Sequence, residues 1–366
     1  MRQFGGFLAG WRGLGRFWIG VLLTLGIGAA VLQTLGPAPR PAMTAAAPAA
    51  PLPPAHGPPS TTASDAARSA AAGSAAARSV PRPARPGRDL PGPIADPDPA
   101  LLEPYSGEAN LKLPRIAVDD RTPMAAYAAG FDPSSLRPRV GMLVAGLGMS
   151  DADSLAAIKN LPGGVTLAFS PYAANIGHLL ELARMTEHEY LLSIPMEPQG
   201  YPMNDPDDRH ALMTSLPPAE DLNRLRWVLS RLTGYVGVTS AFGQLHGERL
   251  VAVSDQFGAV LQEVAHRGLL FVDARTNQPA LPYAWSRSAD VVIDDDPADA
   301  TVLDQRLDQL SRAALDKGSA LGIVWLPRPV TLSRVAAWTN TLTAKGLALA
   351  PVSALALPPA KGEAEK

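Results

Sequence analysis

The sequence predicts an α/β fold, a closed or nearly closed (β/α) barrel of parallel strands, and three observations lead there. Apolar runs of strand length recur at 140–145, 165–170, 190–195, 235–239, 269–272, 291–293, 320–325 and 347–352. Between most of them lie helical stretches, at 151–160, 176–185, 218–232, 249–266, 301–317 and 333–345. The runs lack the polar alternation of a half-exposed sheet, so they read as strands covered on both faces. That number of β-runs favours a barrel over an open sheet.

Local signals set the elements. The first run, Val140 to Ala145, empties into Gly146-Leu147-Gly148, and Ser150-Asp151 starts a helix. In the stretch 218–232, Leu222, Leu225, Val228, Leu229 and Leu232 recur at helical spacing behind a start rich in proline and acid. Gly268, Gly318 and Gly346 stop helices just before the next strand.

The flanks are of a different composition. From Phe17 to Leu35 there is no charged residue, and Arg2, Arg12 and Arg16 all precede the run. Its length, roughly 28 Å as a helix, matches a bilayer core. The expectation is a cytoplasmic stub over 1–16, an uncleaved anchor over 17–36, and everything after it outside the membrane. The competing reading is a cleaved signal peptide. Residues 37–110 are expected to be a disordered Pro/Ala-rich linker, since their richest part, 37–100, has almost no large apolar side chain to bury. The folded domain is expected over 111–357 and a flexible tail over 358–366. The chain holds no cysteine, which excludes a disulfide framework, thiolate metal sites and a cysteine nucleophile. The net charge of −2 leaves about −7 on residues 101–366 once the arginine-rich flank is set aside, against nucleic-acid binding.

In such a barrel the functional groups stand just after each strand. That criterion selects Gly146 and Gly148, Ser170-Pro171-Tyr172, Met196-Glu197-Pro198, Ser240-Ala241-Phe242, Asp273-Ala274-Arg275-Thr276, Asp294-Asp295-Asp296 and Pro327-Arg328-Pro329. Carboxylates and arginines occur there, but no histidine does.

Five blocks carry a more specific signal: VTLAFSPYA (165–173), HEYLLSIPMEPQGYP (188–202), SLPPAEDLNRLRWVLSRLTGYVGVTS (215–240), GLLFVDART (268–276) and LPRPVTL (326–332). In their order and spacing, residues 138–356 resemble the divergent polysaccharide deacetylase family. The resemblance implies a distorted barrel of the glycoside hydrolase/deacetylase type, an envelope location, carbohydrate as substrate and a zinc-type metal. It also implies ligands that this chain lacks. Where the family has an Asp-Asp pair before Leu-Gly, this chain has Ala145-Gly146; where the family has a histidine in Asn-Asn-His-Met-Gly, it has Ala241; where the family has Gly-His-Pro, it has Trp325-Leu326-Pro327. A hydrolytic metal needs several imidazole or carboxylate ligands and an open position for water.

Glu197, Asp273, Arg275 and His246 are the candidates for a rearranged site, beside the alternative that they are structural. Phe242, Trp325 and Arg328 are candidates for contacting a saccharide; the aromatics equally suit filling a vacated metal site. His188 is expected at the opposite end of the barrel, while His178, His210 and His266 lie in helices or loops and His56 in the linker. The acidic triplet 294–296 offers oxygen ligands for a hard cation or the cap of the following helix. Gly146-Leu147-Gly148 is a broken dinucleotide motif, and the chain holds no G-x-S-x-G, GxxxxGK or H-E-x-x-H. The reading is a bacterial inner-membrane protein with a periplasmic barrel, no cofactor, and cell-wall carbohydrate or an envelope protein as partner. Its alternatives are an active deacetylase with rearranged ligands, using a divalent metal such as zinc, and a protein-interaction module for an envelope enzyme.

Overall fold

A computed structural model describes residues 90–206, 209–295 and 299–360. The expected anchor from Phe17 to Leu35, the linker to residue 89 and the last six residues lie outside the described residues. Among the described residues no helix is long and apolar enough to cross a membrane.

The barrel strands are β3 (Arg139–Leu147), β4 (Thr166–Phe169), β5 (Tyr190–Ser193), β6 (Gly237–Thr239), β7 (Leu270–Thr276), β8 (Ser286–Ala289), β9 (Val291–Val292) and β10 (Ser319–Val324). They are hydrogen-bonded in the order β8-β7-β6-β5-β4-β3-β10-β9, parallel throughout. β11 (Ala348–Leu349) pairs with the start of β3. The two ends of the path, β8 and β9, are separated by Asp290 alone. Its N–H donates to the Leu321 carbonyl at 2.8 Å, and its carboxylate accepts from the Leu321 N–H at 2.9 Å. One short segment therefore joins both edges of the sheet, and the barrel is nearly closed.

The helices are α1 (Pro123–Ala126), α2 (Asp151–Asn160), α3 (Gly177–Met185), α4 (Pro218–Leu229), α5 (Glu248–Val251), α6 (Ser254–His266), α7 (Ala300–Lys317) and α8 (Pro329–Thr339). Ser150 caps α2 by accepting from the Asp153 N–H at 3.3 Å, and Asp299 caps α7 by accepting from the Thr301 N–H at 2.7 Å. The apolar runs divide their side chains between two cores. On β3, Val140, Met142 and Val144 belong to the layer under the helices, while Leu143 and Ala145 belong to the barrel interior. Period-two alternation with both faces buried is why these runs are apolar without interruption.

Several expectations are corrected. The helix expected over 249–266 is broken at Val253, whose extended backbone separates α5 from α6. α4 stops at Leu229, where the Ser230 hydroxyl donates to the Trp227 carbonyl. α8 begins at Pro329, four residues earlier than expected, because proline suits the first helical turn. β8 was not expected, since Ser-Arg-Ser-Ala is not an apolar run; Ser286 and Ser288 satisfy their hydroxyls at the Leu281 N–H and the Gln278 carbonyl. The linker boundary also moves. Residues 90–110 include buried Ile94 and Leu101 and the strand β1 (Leu102–Pro104), which pairs antiparallel with β2 (Lys112–Pro114). Proline and alanine dominate 37–100, and that composition hid the few apolar anchors at its end.

The barrel floor is polar. Glu189 is fully buried and accepts from the Ala129 N–H (3.0 Å), the Thr166 hydroxyl (3.0 Å), and the N–H (2.9 Å) and hydroxyl (2.5 Å) of Ser353. One carboxylate thus ties three distant parts of the chain beneath the strands.

Candidate functional site

The opposite, carboxyl end of the strands is the barrel mouth. β3 carries Gly146 near its end and leads into Gly148, both with positive φ (+75° and +93°). A Cβ at Gly146 would stand 2.8 Å from the Trp325 carbonyl oxygen and one at Gly148 2.6 Å from the Ala173 Cβ. Glycine is required at both on two counts, backbone conformation and space.

The positions at which the family resemblance implies ligands hold an apolar plug. Ala145 and Ala241 are fully buried and Ala274 and Trp325 nearly so, and all four belong to the barrel-interior cluster against which Leu326 packs. Trp325 is therefore not exposed as a platform for a sugar ring. One of its faces is covered by His246, stacked at 4.0 Å between ring centroids and 23° between planes.

The carboxylates near the mouth are committed. Asp294 is buried and accepts from the N–H groups of Trp325 (2.7 Å) and Leu326 (3.0 Å). Burial pushes its carboxyl above the usual range, against those two bonds. It pins the β10 loop, and Asp295 beside it is exposed; Asp296 lies outside the described residues. Asp273 is buried and takes three hydrogen bonds from Arg275, at its N–H (2.9 Å), Nε (3.1 Å) and Nη2 (2.7 Å). Glu197 accepts from the N–H (2.6 Å) and hydroxyl (2.7 Å) of Thr214 and pairs with Arg249 at 2.8 Å. Glu197, Asp273 and His246 thus do not converge into a ligand set. Among the described residues no group of three or more His, Asp or Glu side chains is placed to hold a metal ion.

His246 has a partner that the sequence did not reveal. Its Nδ1 lies 2.9 Å from Glu248, whose other oxygen accepts from the Gln199 N–H at 3.0 Å. Burial works against the charge on Glu248, but these hydrogen bonds outweigh it and hold the carboxyl at about 2. A carboxylate facing Nδ1 makes that nitrogen the donor of the pair. The Nε2 is enclosed and has no hydrogen-bond partner.

Phe242 is half-buried and meets Tyr172 edge-on at 5.9 Å; Tyr172 lies 5.8 Å from Trp227, on which His210 stacks at 3.5 Å. This wall of rings joins the loops after β4, β5 and β6 to α4; Tyr172 and Phe242 in it were expected at strand ends from sequence, and Trp227 and His210 were not. Arg328 is half-buried at the start of α8, close enough to Asp294 for its charge to be felt there. His188 stands before β5, buried, with its ring nitrogens 2.7 and 3.2 Å from the Val165 and Ile158 carbonyls. Burial lowers its pKa. His178 lies at the start of α3 and His266 at the end of α6.

The fold and these blocks define a polysaccharide-deacetylase-like barrel, and the family model for divergent polysaccharide deacetylases matches residues 142–356. The chain belongs to that family. It is similar to the crystal structure of an uncharacterized protein from Agrobacterium tumefaciens C58, at 30% identity and a TM-score of 0.62 over 67% of this chain and 99% of that one. A family 4 carbohydrate esterase from Streptomyces lividans in complex with acetate matches at 17% identity and a TM-score of 0.38 over 62% of this chain and 99% of that one. No curated protein matches this chain.

The family's metal does not fit here. Ala145, Gly146, Ala241 and Leu326 carry no donor atoms, the space of a side chain at 146 is closed by the Trp325 carbonyl, and the nearby carboxylates are spent on arginines and backbone N–H groups.

Proposed function

We propose that this protein is a catalytically degenerate member of its family, anchored in the bacterial inner membrane through Phe17 to Leu35, that binds or scaffolds cell-wall carbohydrate in the periplasm. The observation that carries the reading is the plug. Trp325, Ala145 and Ala241 belong to the buried barrel interior, and Ala145 and Ala241 stand at positions where the family resemblance implies metal ligands. A site that held an activated water would need polar atoms left unspent, and the carboxylates around this mouth are engaged in fixing loops.

Phe242 and Arg328 are the mouth groups with surface left for a saccharide, one for ring contact and one for a hydroxyl or carboxylate. The apolar run and the linker hold the barrel off the membrane, with the linker ending near residue 90 in this reading. The test is a pull-down of the intact chain on peptidoglycan sacculi, with acetate release from acetylated glycans assayed in parallel. Retention without acetate is the expected result. Acetate release that stops on Glu197→Gln, Asp273→Asn or His246→Ala would establish the rearranged enzyme instead. Failure to bind, with capture of a specific envelope enzyme, would establish the interaction module.

A further inference from the structure

The loop after β6 carries its rings in two directions. Phe242 and Leu245 close a tight turn through reciprocal backbone hydrogen bonds of 3.0 and 3.1 Å. Gly243 and Gly247 flank the next side chains at φ +58° and +71°, backbone that glycine adopts without strain. Phe242 precedes the first of these glycines and rests on Tyr172. His246 stands between them and rests on Trp325. The imidazole is 23% exposed and Trp325 only 3%, so the half-exposed His246 ring covers one face of a buried indole.

That ring is held by the Glu248 contact at one edge, while Nε2 is enclosed without a partner. A buried ring nitrogen with no hydrogen-bond partner works against the closed arrangement, and moving the ring into water relieves it. We propose that His246 is a latch, a flat ring that occupies the face of Trp325 which a pyranose ring of a cell-wall saccharide takes when the loop swings out on Gly243 and Gly247. This rests on the glycan-binding reading above.

The exchange trades one stacked ring for another. The saccharide covers the indole with its apolar C–H face, Phe242 stays in place as a fixed wall, and His246 gains water or a sugar hydroxyl at Nε2. Because the closed loop competes with the ligand, affinity is reduced by the fraction of molecules that are open. The latch also makes the site selective for saccharides able to fill the whole indole face, since a partial contact does not replace the imidazole.

The test uses the intact chain labelled with 5-fluorotryptophan, with the Trp325 resonance assigned through Trp325→Phe. Its probes are tetra-N-acetylchitotetraose in titration and peptidoglycan sacculi in pull-down. His246→Ala is expected to move the Trp325 signal before any sugar is added and to tighten tetrasaccharide binding by about 3- to 10-fold. Glu248→Gln, which loosens the ring without removing it, is expected to give a smaller gain of the same sign. Trp325→Leu abolishes binding in either background. If the parent binds and His246→Ala binds no better, or if the sugar leaves the Trp325 signal in place, the latch is wrong and the glycan reading stands. If no protein binds either probe, the opened variant included, both fall.

Discussion

The floor and the mouth of this barrel solve the same problem in opposite ways. At the floor a carboxylate is fully buried, and four donors from three separate segments meet it. At the mouth the positions at which the family resemblance implies ionisable ligands carry alanine, glycine and leucine, and the neighbouring Trp325 is buried in the barrel interior. A buried charge is tolerable only when it is completely satisfied, and an apolar plug needs no such provision. The difference teaches that the floor carboxylate gathers distant segments of the chain, whereas the buried carboxylates of the mouth, Asp294, Asp273 and Glu197, each hold a loop beside apolar residues.

The largest effect is expected at the floor. Glu189→Ala strands the Ala129 and Ser353 N–H groups and the Thr166 hydroxyl in the interior, and is expected to lower unfolding free energy by roughly 3–5 kcal/mol. Chemical denaturation of the intact chain reads it, and a loss under about 1 kcal/mol would mean that the floor network is not what joins the segments.

Next comes the mouth, where two glycines with similar backbones are compared. Gly146→Ala meets the Trp325 carbonyl and also forces a Cβ into the left-handed region; Gly243→Ala meets only the second difficulty, since its Cβ stands in open space. The expected losses are about 2–3 and about 1 kcal/mol. Equal losses in the two variants would show that the mouth has room for a ligand-bearing residue at 146.

The smallest effect is a difference in sign with pH. Glu248 has its folded value held at about 2, below the usual carboxylate range. Its contribution is fully present above that range and is lost as pH falls toward 2. Glu189 is raised by burial, against its four hydrogen bonds. Its contribution is therefore fullest in acid and declines as pH rises through the raised value. Carboxyl NMR titrations of the two groups check this, and a shift of the same sign at both would remove the contrast.

Much of the barrel was legible because its physics is local. Val140 to Ala145 had to be buried on both faces, and Gly268 and Gly318 had to stop helices, wherever the rest of the chain went; Gly346 instead closes a run of turns, since the helix before it ends at Thr339. β8 escaped because Ser286 and Ser288 pay for burial through bonds to Leu281 and Gln278 that spacing does not announce. The ordered start near residue 90 escaped because Ile94 and Leu101 are isolated apolar residues in a proline-rich context. At the site, the lost ligand positions were readable residue by residue from the resemblance. The partnership of His246 with Glu248 was not, since the two are separated only by Gly247, whose left-handed backbone at φ +71° is a feature of the folded loop that spacing does not announce. Trp325 was readable as a mouth aromatic, but nothing in the sequence said that a histidine covers it.

The most direct test of the central claim is a zinc titration of the metal-stripped intact chain by calorimetry, backed by elemental analysis of the protein as purified. The account predicts no stoichiometric site, because no donor set converges at the mouth. One zinc bound per chain, lost on Glu197→Gln, Asp273→Asn or His246→Ala, would contradict it.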